Sequence, residues 1–464
     1  LKDEEYFAES YPNIANARTK SKRKTMIEGL RNTDFDAFQQ YQDAQATQDR
    51  TSNWFRFSNR FPLTGVSRIN LYSVFAELSV QSVSPHGRVG LVIASGIATD
   101  DNNKALFEQL MKDRRLIHVW DFENREKIFP DVDSRYKFCL FSATGRLYQG
   151  IEPDFAYYLT NVHQLLEPDR HFTLSLSDLV AINPNTRTSP TFHNKHEAEL
   201  TISIYKRLDA WCIHEVSEYW PGNPRTPFNM ANDSSLFVSK SELIKTGASF
   251  RPLGTALHTD GEVYLPLMEG KLLHQFNHRY ASFGQGTSTS VDADNPTELS
   301  EHQLMDAYRG VGNRYWMSQA IQSARFPGDW FLATRRLTNA TNERTTIAAI
   351  IPGYPCGHSI TPILNVGPRQ ALLLGTCFNS FIFDFCSRKK LPGTDFSHWI
   401  WNQLPIPSES QAVELGSLLG AGDGYQWIVD RGIELSFTAW DLRGFANDIG
   451  YDGPPFRWDE ARRF

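Results

Sequence analysis

Between residues 70 and 141 the apolar pattern changes period in a way few folds satisfy. Leu71, Val74, Phe75 and Leu78 recur at helical spacing, which predicts an amphipathic helix over 70–83, stopped by Pro85-His-Gly87. Arg88-Val-Gly-Leu-Val-Ile-Ala94 is a short continuous apolar run and reads as a buried parallel strand. Asp100 or Asp101 is a suitable N-cap for a helix running to Lys112. Two further strands are expected over 116–122 and 136–141. The interval between them is too short for a crossover helix, so they should pair antiparallel. Helix, strand, helix, strand, loop, strand is the α/β pattern of the distal half of a doubly wound sheet whose last strand is antiparallel.

A chain of 464 residues exceeds one ordinary domain, and 41% hydrophobic residues exclude a mainly disordered protein. Residues 1–150 carry the α/β pattern and 151–230 form a mixed connecting region with a helix expected over 196–209. Trp220-Pro-Gly-Asn-Pro-Arg-Thr-Pro227 is a candidate boundary. Residues 231–464 then show short β-like runs (263–268, 330–332, 345–351) between polar loops, notably 284–296, and read as an α+β domain. Gln370 to Lys389 reads as one apolar helix, followed by turns at Leu391-Pro-Gly393 and Leu404-Pro-Ile-Pro407.

With 47 Lys and Arg against 53 Asp and Glu, the net charge of -6 announces no nucleic-acid partner. The distribution is more informative. Residues 301–405 hold 10 basic and 6 acidic residues, a balance of +4, whereas 406–464 hold 5 and 10, a balance of -5. Five cysteines without regular spacing point to a reducing compartment, the cytoplasm. There is no CxxC or HExxH. His193 and His196 stand three apart without further ligands nearby, so no metal is expected. No apolar run is long enough to span a membrane.

Three groups of residues carry a resemblance. The first is Phe61-Pro-Leu-Thr-Gly65 with Asn70-Leu-Tyr-Ser-Val-Phe-Ala-Glu77 and Gly87-Arg-Val-Gly-Leu-Val-Ile-Ala-Ser-Gly-Ile-Ala-Thr-Asp100. The second is Ile128-Phe-Pro-Asp-Val132. The third is Tyr264-Leu-Pro-Leu-Met-Glu-Gly-Lys271, with Arg335-Arg336, Asn342-Glu-Arg-Thr345, Asn379-Ser-Phe-Ile-Phe-Asp384 and Gln403-Leu-Pro405. In this order they resemble the large N6-adenine DNA methyltransferases of the Eco-type fused restriction–modification and phage-defence systems. The second half is similar to the Taq-type target-recognition domain.

The resemblance implies S-adenosylmethionine as methyl donor, double-stranded DNA as substrate and base flipping as the route to the adenine. The family's Gly-rich cofactor loop and Asn-Pro-Pro-aromatic motif are not found here. Asn183-Pro-Asn185 is not that motif, and Gly420-Ala-Gly-Asp-Gly424 follows no strand. Leu1 is therefore expected just downstream of the catalytic motif, making the N-terminal half of the methyltransferase a further partner. No catalytic residue is expected in this chain. The alternative is a non-catalytic, sequence-specific DNA-binding specificity subunit.

A flipped adenine recovers roughly 1–3 kcal/mol by stacking on a flat side chain. Phe129 lies in the loop between the last two expected strands, at the carboxyl edge where such sheets bind ligands. By itself it reads more readily as a core residue capping the hairpin; the resemblance implies instead one face of the adenine sandwich. For DNA contacts the candidates are Lys271, His274, Arg335, Arg336, Asn342, Arg344, Arg388, Lys389 and Lys390, with His278 and Arg279 nearby. Arg and Asn side chains read base edges bidentately, whereas the 388–390 cations also suit a helix C-terminus. Glu77, Asp100 and Asp121 are not expected to act as acid or base.

Overall fold

The computed structural model describes residues 2–17, 20–66, 69–148, 150, 152–210, 223–225, 228–229, 232–257, 260–283, 295–391, 394–420 and 422–457. The chain divides into two compact units, Leu1–Leu176 with Thr186–Lys195, and Ser177–Asn185 with His196–Phe464. No helix among the described residues is long and apolar enough to cross a membrane.

The first unit opens with two short helices, Asp3–Tyr6 and Pro12–Ala15, followed by helices Lys20–Thr33 and Phe35–Phe57, the last capped by the Asp34 carboxylate accepting from the Ala37 amide. Phe7, Ile14, Ile27, Leu30 and Tyr41 form their core. The expected elements follow: α1 (Leu71–Ser82), β1 (Arg88–Ala94), α2 (Lys104–Lys112), β2 (Leu116–Glu123) and β3 (Lys137–Thr144). In α2 the apolar stripe Leu106, Phe107, Leu110 and Met111 is buried, as its spacing requires. β3 pairs antiparallel with β2, and also antiparallel with β1, so it lies between them. β1 and β2 therefore run in the same direction without touching.

Two expectations change here. β1 was expected to be buried, yet it is an edge strand with Val92 58% exposed, because β3 occupies its one paired side. The first unit also continues past residue 150. β4 (Asp154–Leu159) pairs parallel with β2, and β5 (Phe172–Thr173) antiparallel with β4, extending the same sheet.

In the second unit, α3 (Lys195–Tyr205) is anchored by the Tyr205 hydroxyl donating to the Gln403 carbonyl at 2.7 Å. β6 (Trp330–Arg335), β7 (Ala348–Pro352) and β8 (Ile360–Leu364) make an antiparallel sheet with β6 in the middle and Asn223–Pro224 beside β8. A second antiparallel sheet is built from the short strands Val238–Ser239, Tyr315–Ser318, Val263–Pro266, Ala256–Leu257 and Ser249–Phe250. Met268, Leu272, Met317, Phe331, Ile351 and Ile360 share one core.

The single helix expected over 370–389 is two, α4 (Pro368–Phe378) and α5 (Phe381–Lys390). Ser380 breaks the run by capping α5, its hydroxyl accepting from the Phe383 amide at 3.2 Å. The expected break at 220–222 and 226–227, the loop residues 284–294 and the turn residues 392–393 lie outside the described residues.

Candidate nucleic-acid interface

Two places in the structure gather the residues singled out above. In the first unit it is the loop between β2 and β3. Asn124, fully buried, clasps this loop. Its side-chain amide donates to the Phe129 and Val132 carbonyls at 2.9 Å each, and its oxygen accepts from the Phe129 amide at 3.0 Å. Lys127 turns the chain with φ of 57°. Phe129 is thus held at the carboxyl end of β2, 41% exposed, with its ring edge-on to Phe138 at 4.9 Å. Phe122, one turn of chain earlier, is 1% exposed and belongs to the core.

The same edge of the sheet holds a buried carboxylate. Asp121 accepts from the Tyr158 amide at 3.3 Å, and its Oδ1 has no hydrogen-bond partner among the described residues. Burial raises its pKa, against the opposing pull of Ser95 and Lys137. Tyr158 sits in β4 at φ of 60°, a conformation costly for a bulky residue. Its ring stacks on His193 at 4.2 Å and lies under the Lys137 ammonium at 4.5 Å. Sequence reasoning missed Asn124 and Tyr158, since neither a loop clasp nor a positive φ has a local signature.

Glu77 and Thr64 explain two of the motif pieces. The buried Glu77 carboxylate accepts from the Thr64 hydroxyl at 2.6 Å and its amide at 2.9 Å, binding the Phe61–Gly65 turn to α1. The turn after β1 leaves no room for a cofactor. A Cβ placed on Gly96 would meet Asp100 Oδ2 at 2.2 Å and the Tyr72 hydroxyl at 2.7 Å. Gly420 and Gly422 have positive φ but lie between two helices. At this turn, therefore, the packing does not fit the close approach of an S-adenosylmethionine molecule to the Gly96 backbone.

In the second unit the structure brings together the loop after Glu269, the β6–β7 loop and the start of α5. Asn379 pairs with both backbone groups of Ala348 at 2.9 Å. Asp384, 4% exposed, accepts from the Thr345 and Thr346 amides at 2.7 and 2.8 Å and from Arg388 Nε at 2.8 Å. Around these anchors the candidate cations have different fates.

Arg335 is a clasp, donating from Nε to the Gly270 carbonyl at 2.9 Å and from Nη2 to that of Leu273; burial lowers its pKa. Arg336 makes a bidentate pair with Asp395 at 2.6 and 3.0 Å. Arg344 donates to the Asn379 carbonyl and lies over the Phe381 ring at 4.7 Å. Arg388 also donates to the Ala340 and Glu343 carbonyls, at 2.7 Å each. Lys389 is paired with Glu197 at 2.7 Å and its side chain is 10% exposed.

Lys390 is enclosed, donating to the Ile182 carbonyl at 2.7 Å and to the Asn183 side chain, with its pKa lowered by burial to about 7. Lys390 therefore cannot meet a phosphate from this position, and Lys389 meets one only by giving up Glu197. His278 and Arg279 are fully buried, His278 against Asp441 at 2.9 Å and Arg279 on the Asp306, Arg309, Leu304 and Thr438 carbonyls.

The positive balance of 301–405 is largely spent inside the unit. What faces solvent is smaller. Lys271 and Asn342 are exposed, the first donating to Asn295 at 2.7 Å and the second bonding Thr338 at 3.4 Å. His274 is half-buried against Tyr280 at 4.5 Å, and burial together with Arg335 lowers its pKa. Phe381 and Ile382, 84% and 57% exposed, project between the Asn379 and Asp384 anchors.

No family model matches the chain, and no curated protein matches it. Among solved structures it is similar to the type IIG restriction endonuclease BpuSI, at 14% identity and a TM-score of 0.26 over 83% of this chain and 49% of that one. It is also similar to the type IIL restriction–modification enzyme MmeI, solved in complex with DNA, at 11% identity and a TM-score of 0.36 over 82% and 50%. The chain spans about half the length of each.

Proposed function

We propose that this chain is the distal part of a site-specific DNA adenine-N6 methyltransferase of a restriction–modification or phage-defence system. It supplies target recognition and one wall of the adenine pocket. The observation that carries the reading is Phe129, a half-exposed aromatic clamped by Asn124 at the carboxyl end of β2. A ring so held stacks on a flipped base at little ordering cost. On the recognition side, Lys271 and Asn342 offer polar contacts, while Phe381 and Ile382 offer an apolar wedge against bases. S-adenosylmethionine would be held by the upstream half, since the turn at Gly96 is filled by Asp100 and Tyr72.

The test is complementation. The chain alone should bind duplex DNA with salt-dependent affinity and transfer no methyl group. With the upstream half of the parent gene added, labelled S-adenosylmethionine should methylate adenine N6, and 2-aminopurine at the target should brighten on flipping. Methylation by the chain alone, or no duplex binding, overturns the proposal. The filled turn at Gly96 is equally compatible with a second reading, a non-catalytic DNA-binding specificity subunit. DNA binding without methyl transfer in the complemented assay would select it.

A further inference from the structure

The first unit contains a cavity of about 500 Å³. Arg115, just before β2, and Arg146, just after β3, both line it, which puts it at the opposite end of the sheet from Phe129. Buried Val80, Leu106 and Leu110 make an apolar floor, and exposed Gln81, Gln109 and Arg146 stand at the rim. Its volume is that of a small-molecule site.

The floor also holds a guanidinium with donors to spare. Arg115, 8% exposed, donates from Nε to the Thr144 carbonyl at 2.9 Å and from Nη2 to that of Val80 at 3.2 Å. Its Nη1 makes no hydrogen bond, and it forms no ion pair, among the described residues. Burial depresses its pKa; Asp113 opposes this and the nearby Arg146 adds to it, so the two guanidiniums repel across the cavity.

The carboxylates of the lining do not neutralise the pair at contact. Glu77 is saturated by the Leu63 and Thr64 amides, the Thr64 hydroxyl and the Gln81 amide, and Asp113 is engaged by Gln109 at 2.8 Å. Those same bonds fix the amide groups of Gln81 and Gln109 by their nitrogens and leave both side-chain oxygens as acceptors. The arrangement therefore asks for an oxyanion between two arginines, a flat or apolar body, and N–H donors at the rim.

We propose that this cavity binds a mononucleotide, its phosphate between Arg115 and Arg146, its base on Val80, Leu106 and Leu110, and its N–H groups toward Gln81 and Gln109. Arginine forks suit phosphate oxygens, and a desolvated guanidinium gains most from such a partner. A free nucleotide and the terminal nucleotide of a nucleic-acid strand present the same phosphate monoester. The site is independent of the methyltransferase reading, because it shares no residue with the Phe129 loop or the second unit.

Calorimetric titration of the full 464-residue chain tests it. The probes are adenosine monophosphate, adenosine, inorganic phosphate, and a short duplex with and without a 5′-phosphate. Adenosine monophosphate should bind saturably, and adenosine and phosphate each at least tenfold more weakly, since each lacks half of the contacts. Arg146→Glu, at the exposed rim, should weaken binding by about tenfold or more. Arg115→Lys should weaken it as well; if that variant does not fold, Arg146→Glu still decides. Tighter binding of the free nucleotide assigns a soluble ligand, and tighter binding of the phosphorylated duplex, lost in Arg146→Glu, assigns a strand end. Absence of saturable binding, equal binding of inorganic phosphate, or an unchanged Arg146→Glu variant overturns the proposal.

Discussion

Replacing Lys390 with methionine should remove a pH dependence of stability. Among the described residues the ammonium has no carboxylate in contact; its partners are the Ile182 carbonyl and the Asn183 side chain, with the Tyr205 ring 5.3 Å away. Burial lowers its pKa from 10.5 to about 7. The folded state thus binds fewer protons than the unfolded state between these values, and stability rises with pH across that interval. The stabilisation is complete above pH 10.5 and is lost as pH falls to about 7, a span worth about 5 kcal/mol at roughly 1.36 kcal/mol per pH unit. Lys390→Met removes this dependence but also removes two buried hydrogen bonds, at a cost of about 1–3 kcal/mol each. The two effects nearly cancel at pH 6, and the variant becomes the less stable chain as pH rises. Between pH 6 and 9.5 the wild-type-minus-variant difference should grow by about 3 kcal/mol. Urea unfolding of both chains across this range, followed by a probe in the second unit, measures it. A difference that stays flat with pH refutes the argument. The slope of log affinity for duplex DNA against log salt should be the same in both chains, since an enclosed ammonium releases no counterion.

Phe129→Ala should cost folding only about 1–2 kcal/mol, against about 3–5 for Phe122→Ala in the core, while abolishing most 2-aminopurine brightening in the complemented enzyme. Thermal unfolding and fluorescence read the two effects; a larger stability loss at Phe129 than at Phe122 inverts the assignment. Asn124→Ala should leave β2 and β3 paired but free the loop, seen as faster amide exchange at 128–132 and the same loss of brightening. Asp384→Ala strands the Thr345 and Thr346 amides and removes the ion pair with Arg388, and should destabilise the second unit by about 3–5 kcal/mol; chemical denaturation checks it. Phe381→Ser should leave stability within about 0.5 kcal/mol, because the ring is 84% exposed, yet weaken duplex binding measured by anisotropy.

The antiparallel β2–β3 pair was legible because two short apolar runs joined by a loop too short for a crossover helix allow little else. β4 was not, although Phe155, Tyr157 and Tyr158 favour a strand, since the surrounding residues 145–230 hold no clear period to set its limits. The break between α4 and α5 had a local signal in Ser380, outweighed by the apolar run on either side. The fate of the cations had none. Arg336 finds Asp395 59 residues away, and Lys390 finds Asn183 207 residues away. A balance of charge along the chain says how many cations a segment has; only tertiary structure says which remain for a partner.

That distinction changes what the motif residues of the second unit mean. Asn379 and Asp384, at the two ends of their run, are consumed by backbone groups of the first residue of β7 and of the β6–β7 loop, respectively. Arg344 reaches the Asn379 carbonyl and covers one side of the Phe381 ring. These polar residues are anchors, and what they anchor is the first turn of α5, whose apolar side chains Phe381 and Ile382 face water. Hydrophobic side chains left exposed singly need no explanation. Under the proposed reading, a Phe and an Ile side by side, 84% and 57% exposed and flanked by buried hydrogen bonds, would form a contact surface held in place before DNA arrives. Preorganisation of that kind lowers the ordering cost of binding, so specificity at this edge should depend on shape and stacking at Phe381 as much as on any free cation.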